Sequence, residues 1–173
     1  FNSFTSDYLN LIYKRQYGFR MKCGTNIATI ELIDYISNAI DRKKKVSMIS
    51  MDIKKAFDMV NVNKLLDVLE NYGIRGNALK LIESYLSDRM QIVKINSTLS
   101  TPIIFTRGVV QGSILGPYLF TLFINYIYRL SINGILFLFA DDCILINEHD
   151  IKDPVEEKII SDMKAIINFL NYR

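Results

Sequence analysis

The sequence contains few residues of the types that form disulfides or zinc sites or that restrict the backbone. Its 173 residues include no tryptophan, one histidine, two cysteines and three prolines. Cys23 and Cys143 form no Cys-x-x-Cys pair, and with a single histidine they cannot complete a tetrahedral zinc site. A disulfide-rich or zinc-stabilised domain is therefore excluded, and a reduced intracellular compartment is expected.

Long hydrophobic runs and a strong charge of one sign are also missing. The most apolar segments, Ile114 to Leu130 and Ile135 to Ile146, are interrupted by Asn125 and by the pair Asp141 and Asp142, so no membrane span is expected. The net charge of +3 is compatible with nucleic acid without requiring it. Hydrophobic residues make up 50% of a chain without repeats or low-complexity linkers, which predicts one globular domain.

Apolar residues recur at helical and at strand spacing in turn. The predicted elements are a helix over 26–40, a strand from Val46 that ends at Asp52, two helices between Asn63 and Leu86, a hairpin over 91–106, a buried helix over Tyr118–Leu130 entered through Pro117, a hairpin over 135–146, and a final helix near the C-terminus. This order predicts an α+β fold. His149 follows Glu148 in a stretch that we interpret as a solvated polar loop.

Adjacent aspartates form the tip of the last predicted hairpin. Asp141 and Asp142 are enclosed by apolar strand residues on both sides, where two carboxylates repel each other and lose hydration unless a cation compensates. Asp52 closes another apolar strand, so three carboxylates from two strand ends would form an all-oxygen site. Mg²⁺ prefers such ligands, and two ions about 4 Å apart support phosphoryl transfer. The pattern favours nucleotidyl transfer over a plain polar turn.

A glycine-containing loop separates these carboxylates along the chain. Residues 107–117 hold Gly108, Gly112 and Gly116, which permit close backbone approach or unusual dihedral angles. Taken alone, the loop is better explained as a plain connector into the following helix. Beside the acids, it becomes a candidate surface for a sugar, a base or a template strand.

Four segments in order resemble a known family. They are Gln16-Tyr17-Gly18-Phe19-Arg20, Asp52-Ile53-Lys54-Lys55-Ala56-Phe57-Asp58, Arg107-Gly108-Val109-Val110-Gln111-Gly112-Ser113, and Phe139-Ala140-Asp141-Asp142. The last three resemble motifs A, B and C of reverse transcriptases, most closely the LINE type of non-LTR retrotransposons. The first resembles the stretch that precedes motif A in these enzymes.

The resemblance implies a right-hand polymerase palm, with an antiparallel sheet backed by helices and part of the fingers. Asp52, Asp141 and Asp142 would be the catalytic metal ligands for two Mg²⁺ ions, with Mn²⁺ as a substitute. The implied partners are an RNA template, a DNA primer and a deoxynucleoside triphosphate, with no membrane. Nuclear action is implied by the family alone.

The same resemblance assigns further roles. Phe57 matches the bulky residue that blocks a ribose 2′-OH, and Gln111 matches the residue that lies against the incoming nucleotide. The implied nucleotide-binding set is Ile53, Ala56, Phe57, Gln111 and Gly112, and the implied nucleic-acid contacts are Lys54, Lys55 and Arg107. For Asp58 we expect a structural role before a catalytic one.

Several alternatives compete with this interpretation. A group II intron or retron-type reverse transcriptase is the nearest, and a non-catalytic RNA-binding palm from a decayed element belongs to a different class. An RNA-dependent RNA polymerase is disfavoured, because such enzymes usually spare the 2′-OH and place Gly before the paired aspartates, where this chain has Phe57 and Ala140.

The sequence also lacks some parts of the full family pattern. The first fingers motifs, motif E and the thumb are not found in these 173 residues, and motif D is only begun. We therefore expect a single reverse transcriptase domain fragment, with a fingers part over about 1–45 and a palm over about 46–173. Such a fragment should polymerise poorly alone.

Overall fold

The computed structural model describes residues 11–150, 152 and 155–172. Its helices are α1 (Thr25–Asp41), α2 (Ala56–Met59), α3 (Val62–Asn71), α4 (Gly76–Leu86), α5 (Leu115–Ile124), a 3₁₀ helix (Asn125–Arg129) and α6 (Val155–Tyr172). Its strands are β1 (Lys45–Asp52), β2 (Arg89–Gln91), β3 (Lys94–Ile95), β4 (Thr98–Leu99), β5 (Ile103–Phe105), β6 (Ile135–Phe139) and β7 (Asp142–His149). The predicted α+β class is confirmed.

The chain forms two compact units. The first comprises Phe1–Lys54 and Ile124–Arg173, and the second comprises Lys55–Phe123. The division into a fingers part over about 1–45 and a palm over about 46–173 stays a prediction.

An antiparallel sheet in the order β1-β7-β6 organises the first unit. The segment before α1 extends the β6 edge through a parallel bridge between Gln16 and Leu138. Tyr17 N donates to the carbonyl of Leu138, and Leu138 N donates to the carbonyl of Arg15, each at 2.8 Å. The chain thus covers the edge of β6 with backbone hydrogen bonds.

Alternating side chains of β6 and β7 supply a core on each face of the sheet. Leu136 and Leu138 pack with Leu145 in a cluster that includes Ile166 of α6. Phe137 and Ile146 pack with Tyr17, and this cluster receives Leu32 and Ile36 of α1, among others. Because side chains of a strand alternate between faces, these two strands are covered by helices on both sides.

The second unit is built from α2, α3, α4, most of α5 and two small hairpin ladders. Its core includes the fully buried side chains of Leu65, Leu69 and Leu86. The predicted hairpin over 91–106 forms, but as two separate ladders, β2 with β5 and β3 with β4. Val93 lies between the two ladders, and its N–H donates to the Ser100 hydroxyl at 3.0 Å.

The predicted helix over Tyr118–Leu130 begins earlier and ends differently. It starts at Leu115 and tightens into the 3₁₀ helix at Asn125. The side chain of Asn125 is buried. Its amide group donates to the carbonyl of Leu11 and its oxygen accepts from Tyr13 N, so it satisfies backbone groups of the segment 11–13 that water would otherwise bind. The expectation of burial holds from Leu119 to Ile127, where only Tyr126 is half-buried, whereas Leu115, Tyr118 and Tyr128 are exposed.

The expectation that His149 lies in a solvated loop is wrong. His149 is the last residue of β7 and is only 7% exposed. The strand extends this far because it pairs with β1 over its whole length, with His149 opposite Lys45.

Among the helices that the structure describes, none is long and apolar enough to cross a membrane.

Candidate active site

The three predicted acidic residues lie at one end of the sheet in the first unit. Asp52 ends β1, Asp142 begins β7, and the strand register places them directly opposite each other. Asp141 lies next to them in the two-residue turn that joins β6 to β7. Residues directly opposite in an antiparallel pair have Cβ atoms about 4.5–5.5 Å apart. A register set by apolar residues thus brings together carboxylates that are 90 positions apart in the sequence.

The turn that carries Asp141 has an unusual backbone. Ala140, its first residue, has φ +58° and is only 6% exposed. Two-residue hairpin turns use positive φ, which Gly, Asn and Asp adopt more easily than alanine. An L-residue with a Cβ costs roughly 1–2 kcal/mol in the left-handed region. The surrounding structure must therefore hold this turn in place.

The chemistry of the acidic group fits a hard cation that keeps part of its water. Like charges directly opposite on a sheet destabilise it unless a cation lies between them. Asp52 and Asp142 are exposed and Asp141 is half-buried, so their oxygens are accessible. Within the described residues, no group of three or more His, Cys, Asp or Glu side chains is arranged so that it could hold a metal ion by itself. Mg²⁺ typically takes one or two carboxylates together with substrate phosphates, which suits such an open group.

The thiol that follows the acids does not join them. Cys143 is 3% exposed and packs in the cluster around Leu145. Burial raises the pKa of this thiol to about 12, so it stays protonated at neutral pH. The interpretation of Cys143 as a small buried hydrophobe is confirmed.

The predicted ribose-blocking residue lies in the second unit, where it is held firmly. The half-buried ring of Phe57 stacks on Phe120, with ring centroids 4.3 Å apart and planes inclined by 24°. Its carbonyl accepts a hydrogen bond from Val109 N at 2.9 Å, and Ala56 beside it is buried. Ile53, half-buried, directly follows β1 in the first unit.

The glycine-containing loop is fastened to the segment around Phe57. Gly108 N donates to the carbonyl of Val60 at 2.7 Å. Gly108 has φ +87°, and a Cβ there would lie 2.9 Å from the backbone of Asp58, so only glycine fits without displacement. Gln111 Nε2 donates to Asp58 Oδ1 at 2.7 Å. Asp58 therefore holds Gln111, which agrees with the expected structural role, and the exposed Gly112 follows with φ +77°.

A cleft of about 700 Å³ opens beside this loop within the second unit. Its charged and polar lining includes Lys55, Arg107 and Gln111 from the predicted set, together with Asp58 and Arg89. Such a lining can accept a phosphate or a base edge. Lys54 is exposed and belongs to the first unit.

Two residues that contact the glycine-containing loop or the acidic turn were not predicted as site residues. Arg89 donates through its guanidinium to the carbonyls of Arg107 and Gly108, at 3.1 and 2.6 Å. Nothing in the sequence around Arg89 indicates this contact. Gln16 hydrogen-bonds to the turn before Asp141, and its only signal is its place in the first of the four family-like segments.

The comparisons with known proteins agree with the geometry. The family model described as "Reverse transcriptase (RNA-dependent DNA polymerase)" matches residues 1–173. The Pol polyprotein of the type-1 retrotransposable element R2 from Popillia japonica is 27% identical over 94% of this chain and 24% of its own length. The probable RNA-directed DNA polymerase of transposon X-element from Drosophila melanogaster is 29% identical over 83% of this chain and 17% of its own length.

The fold comparison points in the same direction. Apo telomerase from Candida tropicalis, truncated from its C-terminal domain, superposes with a TM-score of 0.63 at 17% identity, over 94% of this chain and 36% of its own. The predicted right-hand polymerase fold is confirmed by this likeness. The chain belongs to the reverse transcriptase family. It spans at most about a quarter of the curated relatives reported above.

Proposed function

We propose that this chain is the RNA-directed DNA polymerase domain of a retroelement, which copies an RNA template by adding deoxynucleotides to a DNA primer. The observation that carries the proposal is the register that sets Asp52 opposite Asp142, with Asp141 in the adjoining turn. The family membership of the whole chain and the non-LTR relatives support it.

In the proposed reaction, the primer 3′-oxygen forms a bond to the α-phosphorus of the nucleotide, and the bond from that phosphorus to the pyrophosphate oxygen breaks. Reverse transcriptase domains generally depend on a divalent metal, and Asp52, Asp141 and Asp142 would hold two Mg²⁺ ions, or Mn²⁺ as a substitute. These ions, when bound, supply electrostatic stabilisation of the charge that develops on the oxygens. The protein contributes by fixing the three carboxylates on a rigid sheet end.

The nucleotide would be contacted by the residues that match the nucleotide-binding positions of the family. Phe57, held by its stack on Phe120, would meet the 2′ position of the sugar and disfavour ribonucleotides. Gln111, oriented by Asp58, would lie against the nucleotide with Gly112, Ala56 and Ile53 near it. Lys54, Lys55 and Arg107 would contact phosphates of the template or primer. We place this activity in the nucleus because the family resemblance implies it.

The non-LTR type is favoured over group II intron and retron-type enzymes because the relatives include R2, X-element and jockey. A decayed, non-catalytic palm is the remaining alternative. Its structure would bind RNA and extend nothing.

Primer extension on an RNA template by the full-length polypeptide tests the proposal. We expect extension with deoxynucleotides and Mg²⁺, and a loss of at least a hundredfold in Asp141→Asn, because one acidic ligand becomes a neutral amide. Asp150→Asn is the matched control, since Asp150 is exposed and forms a surface ion pair with Lys44.

Three results would contradict the proposal in different ways. Equal extension by Asp141→Asn would show that the acidic group does not take part in the reaction. Preference for ribonucleotides would indicate an RNA polymerase. RNA retention without extension under any condition would indicate the scaffold.

A further inference from the structure

We infer that Gln16 is a positioning residue that holds the turn carrying Asp141 and Asp142, and this inference rests on the proposed function. Gln16 is fully buried and lies at the edge of β6, far from the acids in the sequence. Its Oε1 accepts a hydrogen bond from Ala140 N at 3.0 Å. The same oxygen accepts from Gly18 N at 2.9 Å, so one side chain joins two chain segments.

We call the two hydrogen bonds of Gln16 Oε1 the brace. The turn needs this support because of the conformation of Ala140. This residue has φ +58°, a region in which its Cβ is strained, so the turn persists only if its surroundings hold it. Ala140 is buried, and its N–H would lose a hydrogen bond if Gln16 were removed. A buried unsatisfied donor is costly, which links the Gln16 amide to the geometry of the turn.

Gly18 completes the brace by close packing. A Cβ at Gly18 would lie 2.4 Å from Ala140 N, a distance that real side chains do not tolerate. The backbone of residues 15–17 is hydrogen-bonded to Leu138, two positions before the turn. The segment that holds Gln16 is therefore fixed to the strand that leads into Ala140, and the Gln16 side chain transmits that rigidity to the turn.

The position of the acids depends directly on this turn. Asp141 follows Ala140 immediately, and Asp142 begins the strand opposite Asp52. If Ala140 relaxes to negative φ, the direction of the Asp141 side chain changes. Residues that orient ligands through hydrogen bonds typically cost 10–100-fold in activity or metal affinity when they are changed.

The test uses the full-length polypeptide with Gln16→Met, which keeps the side-chain length and removes the acceptor. We expect kcat for nucleotide addition to fall 10–100-fold and the half-saturating Mg²⁺ concentration to rise, while the affinity for primer and template stays unchanged. Ala140→Gly in the same chain should recover much of the loss, because glycine adopts positive φ without a brace.

A second measurement does not depend on activity. Hydrogen exchange of the peptide over 137–143 should accelerate in Gln16→Met, because the Ala140 amide loses its acceptor. Should Gln16→Met not accumulate in folded form, Gln16→Asn withdraws the acceptor by one methylene and is expected to show the same effects.

The outcomes separate the brace from the proposed function. If the original chain does not extend primers, the proposed function fails, while accelerated exchange in the variant still supports the brace. Unchanged exchange, or a loss of activity that Ala140→Gly does not recover, overturns the positioning role of Gln16.

Discussion

The aromatic ring of Phe57 is constrained both through its stack on Phe120 and through the backbone bond from its carbonyl to Val109 N. A ring fixed in this way can exclude an extra hydroxyl group, because it cannot move aside at low cost. If the proposed function holds, we expect discrimination between deoxynucleotides and ribonucleotides to depend on this residue and on its immediate support.

Replacing the ring tests this property. Phe57→Val should raise the ratio of kcat/KM for ribonucleotides over deoxynucleotides by about 10–100-fold, since the obstruction of the 2′-OH is removed. Steady-state incorporation of each nucleotide type opposite the same template base measures it. Phe57→Tyr keeps the ring and should keep the discrimination. An unchanged ratio in Phe57→Val would show that another group meets the sugar.

At the scale of elements, one carboxylate on α6 joins the segment before β6 to β7. Asp162 of α6 is 1% exposed and accepts hydrogen bonds from Asn133 N, Asn133 Nδ2 and Gly134 N just before β6, and from Asn147 Nδ2 of β7. Burial by itself raises the pKa of Asp162, but these hydrogen bonds outweigh it and hold the pKa below the usual 3.8. The helix is thereby fastened to the hairpin that carries the acidic turn.

The stability of this junction should depend on pH. Because the folded pKa of Asp162 lies below the unfolded one, its contribution is present above about pH 4 and is lost as the pH falls through the folded pKa. Asp162→Asn should lower the free energy of unfolding by roughly 2–4 kcal/mol at pH 7, since an amide N–H₂ then faces donors. Denaturant unfolding at pH 7 and pH 3 measures both effects.

The control for this measurement is Asp67→Asn, an exposed position on α3. It should change the free energy of unfolding by no more than about 0.5 kcal/mol. A difference between Asp162→Asn and the original chain that is as large at pH 3 as at pH 7 would contradict the assigned role of the ionised carboxylate.

At the scale of the whole molecule, affinity for nucleic acid should come from placed cations rather than from net charge. The net charge is only +3, and Lys44 is already paired with Asp150 at 2.7 Å. Lys54 and Lys55 are exposed and lie two and three positions after Asp52. Each cation that contacts a phosphate contributes to the salt dependence of binding.

The double variant Lys54→Ala/Lys55→Ala should therefore weaken RNA binding and reduce the slope of log K against log salt concentration by about one for each lysine. Titration of labelled template and primer at several salt concentrations gives the slope. Lys80→Ala, an exposed position on α4, should leave it unchanged. An unaltered slope in the double variant would show that neither lysine contacts the nucleic acid.

The sequence alone determined most of the elements and indicated the acidic residues at the strand ends. Helical periodicity marked α1, and the β1 and β6–β7 patterns placed the acids at strand ends, because burial of one face imposes a period on apolar residues. The order of the four family-like segments was enough to indicate the fold and the family. Asp58 as a supporting residue was also expected from the sequence, and its bond to Gln111 agrees.

Only the tertiary structure decided which distant residues meet. The register of Asp52 with Asp142, the Gln16 bond to Ala140 and the burial of His149 all depend on pairing between segments far apart in the chain. Local periodicity cannot encode these pairings, because it reports which face of an element is buried and not what lies against it. Packing of the complete sheet selects the partner.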